Sequence, residues 1–190
     1  MFEITKRKYM TDFDYSSYEK SLEKVLESVQ RDYWAQYVDI NRHQVAVART
    51  YLWVSVALLG AYAAAYQHFQ SQFAASAPCV MFIAIATFAL GVGAFGICLY
   101  AIPSRKAYRL VPNQGWGEFS KSAYKLLEQN TPNLYAAFLT DFIARYDVAH
   151  NHCLKTNFQR AKLLRLTSWL LIGSFMLALV CAVSVAVSLR

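Results

Sequence analysis

Apolar residues gather into three long blocks, separated by polar or mixed stretches. The blocks run from Tyr51 to Gln70, from Cys79 to Ile102 and from Leu166 to Leu189. Each reaches the roughly 20 residues that a helix needs to cross about 30 Å of hydrocarbon. None contains Asp, Glu, Lys or Arg. A lone strand would leave its backbone groups unpaired in lipid, so the blocks predict transmembrane helices. Ahead of them, Leu22, Val25, Leu26, Val29, Tyr33, Tyr37 and Ile40 recur at helical spacing. Ser16 with Glu19 forms a capping-box pattern, and Glu27 with Arg31 an i,i+4 pair. A helix over residues 16–50 is predicted, with nothing to break it before the first span. Its apolar stripe should dock on later helices, since its heptads are short and imperfect.

Beyond the second span the helix should stop near Pro103. Leu110–Phe119 has Pro and Gly breakers and reads as a loop. A short helix is predicted over Ser120–Gln129, then an interruption at Asn130–Thr131–Pro132. The next helix starts near Asn133, with Leu134, Ala137, Phe138, Phe142 and Tyr146 on one face. It should run on through Lys155 and Lys162 into the third span. The reading is therefore all-α: an integral membrane protein with three transmembrane helices and a cytoplasmic helical bundle. Its parts are an N-terminal amphipathic helix (1–50), a transmembrane hairpin (51–102, spans 51–70 and 79–102), a basic helical segment (103–165) and a third span (166–190).

Composition supports this class: 56% of the 190 residues are hydrophobic and 16% charged, against about 25% charged in soluble domains. Charge then gives orientation. The formal net charge is +7. Residues 103–165 hold ten Lys or Arg against four Asp or Glu, while the first fifty hold eight of each sign. Ser71–Pro78, between the first two spans, is uncharged. The positive-inside rule places the N-terminus and the long basic segment in the cytoplasm and the C-terminus outside, in a multi-pass protein of the cell inner membrane. Tyr51, Trp53, Tyr100 and Trp169 would form the aromatic belt on the inner side. The basic excess needs no DNA partner. Cys79, Cys98, Cys153 and Cys181 form no CxxC pair and suggest no disulfide framework. With about fifty mixed-charge residues ahead of the first span, no cleavable signal peptide is expected there.

Small residues four apart occur in every span: Gly60 and Ala64, Ala89 and Gly93, then Ser174, Ala178, Ala182 and Ala186. They let helix backbones approach closely, within one chain or toward a neighbouring subunit. Three spans enclose no channel, so any pore requires an oligomer. Active transport and voltage sensing need ionisable groups inside the membrane, and these spans offer hydroxyls instead.

Candidate chemistry is sparse, and neither an enzyme nor a cofactor is expected. Arg145 and His150 form an R-x4-H pair, a spacing used by one class of ribonuclease across a dimer; the bland alternative is chance. Asp147, His150 and Cys153 lie three apart, but no fourth metal ligand accompanies them. Arg105, Lys106, Arg109, Lys121, Lys125 and Lys155 surround Trp116. Such a set could bind a nucleotide by phosphate contact and stacking, or anionic lipid headgroups. No phosphate-binding glycine loop or nucleophile elbow occurs. Gly91–Gly96, GVGAFG, falls inside a span.

The order of long amphipathic helix, two-span hairpin, basic segment and final span resembles small bacterial membrane effectors of nucleotide-signalled antiphage systems. These are the transmembrane effectors of Pycsar systems and the SLATT effectors. Trp34, Tyr37 and Asp39 in WAQYVDIN look like the W-x-x-[FY]-x-D-x-K stretch before the first span of Pycsar effectors, with Asn41 in place of the Lys. LKTNFQRAKLLRL resembles their basic approach to the last span; SLATT proteins have two spans, not three. The resemblance implies a homo-oligomeric membrane effector of antiviral defence. A cyclic nucleotide or a sensor protein would trigger it to disrupt the membrane. The competing expectation is a non-enzymatic partner protein, such as an immunity, exclusion or accessory subunit.

Overall fold

A computed structural model describes residues 14–71, 78–102, 111, 116–129 and 133–188, though not the side chains of Trp116, Ala123 and Ser188. Among these residues the regular structure is entirely helical. In chain order the elements are α1 (Tyr15–Trp34), a π-helical turn (Ala35–Ile40), α2 (Asn41–His68), α3 (Pro78–Ala101), α4 (Trp116–Glu128) and α5 (Leu134–Ser188). Three helical stretches, Tyr15–His68, Pro78–Ala101 and Leu134–Val187, are long and apolar enough to cross a membrane. That is the signature of a membrane protein.

Helix ends follow local chemistry, with three corrections to the sequence reading. The first helix begins at Tyr15, and its cap is Asp14, not Ser16. The Asp14 carboxylate accepts from the Ser17 amide at 3.1 Å, and an ionised acceptor suits the positive end of a helix dipole. The stretch from residue 16 to 50 is not a plain α-helix either, because the π-turn interrupts it. Finally, α4 starts at Trp116, so Trp116–Phe119 belong to a helix rather than to the expected loop. Glu118 lies in the first turn and pairs with Lys121 at 3.0 Å. Phe119 is buried, with its ring 5.5 Å from Phe138 and 5.1 Å from Phe142. Burial of an aromatic outweighs the weak helix propensity of Gly117. The expected interruptions at Pro103 and at 130–132 lie outside the described residues.

The chain divides into two compact units, residues 1–39 with 107–155, and residues 40–106 with 156–190. In the first, Tyr33 of α1 packs against Ala149, Cys153 and Tyr146 of α5, joined by Tyr37 and Val111. The Tyr33 ring stacks on Tyr37 at 5.6 Å and meets Tyr146 edge-on at 5.6 Å. Phe138, Phe142 and Tyr146 continue an aromatic row along α5. The Arg145 guanidinium lies 5.1 Å from the Phe119 ring and pairs with Asp141 at 2.8 Å. Tyr135 donates to Glu23 at 2.7 Å, tying α5 to α1 a second time.

In the second unit, α2, α3 and the later part of α5 pack together. Ala48, Ala101 and Leu164 form one buried layer. Buried positions on α5 advance by alternating steps of three and four: Asn157, Arg160, Leu164, Thr167, Leu171, Ser174, half-buried Ala178, Cys181 and Val185. Thr87, Gly91, Ala94, Cys98 and Ala101 do the same on α3. This is the seven-residue spacing of left-handed coiled packing. Small side chains permit it: a Cβ on Gly91 would lie 3.1 Å from Leu59 Cδ2.

Candidate functional site: a polar seam and groove among the apolar helices

The seam of the second unit is polar at two levels. The first is where α2 begins. Asn41 and Gln44 fall one turn apart, so both face α5. Arg160 Nη1 donates to Asn41 Oδ1 at 2.5 Å, and Gln44 Nε2 donates to the Asn157 carbonyl at 3.0 Å. Gln44, Asn157 and Arg160 are all buried. Gln44 Oε1 is buried without a hydrogen-bond partner. A Lys in place of Asn41 would set a second cation beside Arg160.

The second level lies about four turns further along α5. Ser174 Oγ donates to the Thr87 carbonyl at 2.9 Å, and the Tyr62 hydroxyl donates to the Ser174 carbonyl at 3.2 Å. These two hydroxyls, themselves 3.1 Å apart, therefore link α2, α3 and α5. The other buried hydroxyls turn back on their own helices. Ser55 donates to Tyr51 O at 2.7 Å and Thr167 to Leu163 O at 3.0 Å. Such bonds satisfy polar groups without exposing them to lipid.

Past Ser174 the three helices leave a groove of about 790 Å³. Tyr66, Phe69, Met81, Phe88, Cys181 and Val185 are among its lining residues. Ala178, Ala182 and Ala186 line it too. Of the proposed packing residues, Ser174 is buried at the hydroxyl knot and Gly93 approaches Leu170 Cδ1 at 3.8 Å. Gly60, Ala64 and Ala89 are exposed on the outside of the unit.

The remaining candidates are scattered. Arg105, Lys106 and Arg109 lie outside the described residues. Trp116 opens α4. Lys121, Lys125 and Lys155 are exposed. Arg145 and half-buried His150 sit about 140° apart round one helix. Asp147 accepts from Asn151 at 3.1 Å, while Cys153 is buried against Tyr33. Among the described residues no three of His, Cys, Asp or Glu converge as a metal site would require. Burial pushes the Tyr33 phenol up to about 12, with smaller contributions from Cys153, Tyr37 and Tyr146. The Tyr135 phenol is raised chiefly by its hydrogen bond to Glu23. Sequence reasoning missed Asn41, Gln44, Asn157 and Arg160 as a group, although the three-residue spacing of polar residues on each helix was available as a signal.

Against protein-family models, curated proteins and solved structures, the chain gives no significant match.

Proposed function

We propose that this protein is a multi-pass inner-membrane effector of bacterial defence, which oligomerises and permeabilises the membrane when triggered. The observation that carries the reading is the nature of the three apolar helices. Their spans hold no Asp, Glu, Lys or Arg, and neutral hydroxyls tie them together at mid-length. Such a bundle has nothing with which to couple transport to a gradient. It has much with which to perturb lipid: Phe82, Phe88, Ile85 and Phe175 are at least half exposed, and a groove lined mainly by apolar side chains lies among the three helices.

In this reading α3, at about 36 Å, spans the bilayer with a modest tilt. Trp53, Tyr100 and Trp169 are 73%, 77% and 66% exposed, one on each apolar helix near its basic end. They would sit at the inner headgroup level, where amphipathic rings belong. The N-terminus and the basic segment are then cytoplasmic, positioned to meet a cyclic nucleotide or a sensor protein. Free energy for the change comes from tighter binding of the trigger to the active arrangement.

Expression with the trigger, in cells loaded with a potential-sensitive dye, should produce depolarisation. Protection of the cells with an undiminished potential would overturn the proposal. The groove favours a second reading, a non-enzymatic partner protein that seats a helix of another membrane protein. That role predicts no toxicity at any expression level and recovery of one membrane partner in stoichiometric amount. A ribonuclease built on Arg145 and His150 draws little support, since Arg145 is held by Asp141 and Phe119.

A further inference from the structure

We infer that Asn41, Gln44, Asn157 and Arg160 form a releasable clamp that sets whether α2 and α5 are closed or splayed where the chain enters the second unit. The chain enters that unit twice, at Ile40 and at Thr156. Within one turn of each point the two helices are fastened to each other, by Arg160 to Asn41 and by Gln44 to the Asn157 carbonyl. No comparable side-chain bond ties α2 to α5 among the described residues until Tyr62 and Ser174, about four to five turns further on. The clamp therefore governs one end of the bundle independently of the knot at mid-length.

Two features make it releasable. The first is Gln44 Oε1, buried with no donor. A buried acceptor left unmade forfeits its hydration, which raises the closed state toward an open one where water reaches the amide. The second is the π-turn, which ends at Ile40, the residue before Asn41. A π-turn holds one residue more than an α-turn would. Moving that extra residue past Gln44 rotates Asn41 and Gln44 by about 100° and takes both out of the seam. The helix stays continuous, so the rearrangement does not require unfolding. A push or pull on α1 can thereby be read out as opening between α2 and α5.

The clamp is testable apart from any leakage. In the full chain with its four native cysteines replaced, spin labels at Ala46 and Ala161, both exposed, report the α2–α5 distance. The protein is placed in vesicles of phosphatidylethanolamine and phosphatidylglycerol. The parent should give one narrow distance. Arg160→Ala or Asn41→Lys should add a longer distance and raise its share roughly tenfold or more, the effect of losing one hydrogen bond to a charged group. Asn41→Asp supplies a carboxylate to Arg160 and should abolish any longer component. This variant keeps the fold, so misfolding of the others cannot decide the result. Identical distance distributions in all four proteins would overturn the clamp, whatever the membrane-potential experiment shows. A broader distribution in Asn41→Asp than in the parent would overturn it equally.

Discussion

Tyr33 shows how much one side chain can organise. It is 3% exposed, yet it lies on a helix of weak overall hydrophobicity. Truncation to Ala should cost about 3–5 kcal/mol, as for other buried aromatics, and loosen α1 from α5. Its phenol also predicts a pH effect. Burial raises it to about 12 in the folded chain, whereas the unfolded phenol ionises near 10. Between those values the unfolded state binds fewer protons than the native one, so stability falls as pH rises. Chemical unfolding in detergent, followed by near-UV circular dichroism, should show that decline between about pH 10 and 12, and Tyr33→Phe should flatten it. Ser174 gives a second expectation at this scale. Ser174→Ala removes the hydroxyl that donates to the Thr87 carbonyl and lies 3.1 Å from the Tyr62 hydroxyl, leaves Tyr62 its bond to the Ser174 carbonyl, and should cost about 0.6–2 kcal/mol in micelles. Gly91→Leu should cost more than Gly91→Ala. A single Cβ needs only Leu59 to give way, while a full side chain must part α2 from α3.

Among the elements, α5 is the one whose start is most exposed to test. Asn133 caps it from a left-handed conformation, with φ at 50°. Its side-chain oxygen accepts from the Ala136 amide at 3.2 Å, and its carbonyl accepts from Ala137 at 3.1 Å. Asparagine tolerates this region and can also cap, a pairing that few residues offer. Asn133→Ala loses the cap and meets backbone strain, so about 1–2 kcal/mol should go. Asn133→Gly loses the cap but keeps the conformation, and the loss should be a few tenths. Thermal melts of the two variants side by side would show the order. Prediction of α5 as one helix through Lys155 and Lys162 agrees with its continuous path to Ser188, because no Pro or Gly interrupts its first four dozen residues except Gly173. The start of α4 was less legible. Gly115 and Gly117 flag a turn locally, and the burial of Phe119 against Phe138 and Phe142, about twenty residues away, overrides them.

For the whole molecule, the expectation is obligate contact with lipid. Trp53, Phe82, Tyr100 and Val187 are among the large apolar residues left uncovered by the chain itself. Such surface needs detergent or bilayer to stay dispersed. Removal of detergent from the purified protein should therefore precipitate it, and size-exclusion chromatography would reveal the loss. Orientation has its own check. A cysteine at Gln114 should resist membrane-impermeant labels in intact cells, and one appended after Arg190 should react. Reversal of that pair would invert the topology and remove the cytoplasmic trigger from the proposal.

Residue order alone determined the three apolar helices, their approximate limits and the asymmetry of charge around them. Those features are local: a run of twenty residues either is or is not soluble in hydrocarbon, whatever its neighbours do. Which face of each helix meets the others was decided only by tertiary packing. Alanine spacing pointed to Ala182 and Ala186 as a seam, but the buried line runs through Cys181 and Val185, and the alanines border the groove. In the same way Asn157 and Arg160 looked like part of a basic approach to the last span, yet both are buried against α2. Pairing across more than a hundred positions leaves no mark on either segment, because a polar side chain finds its partner only when another helix brings one within about 3 Å.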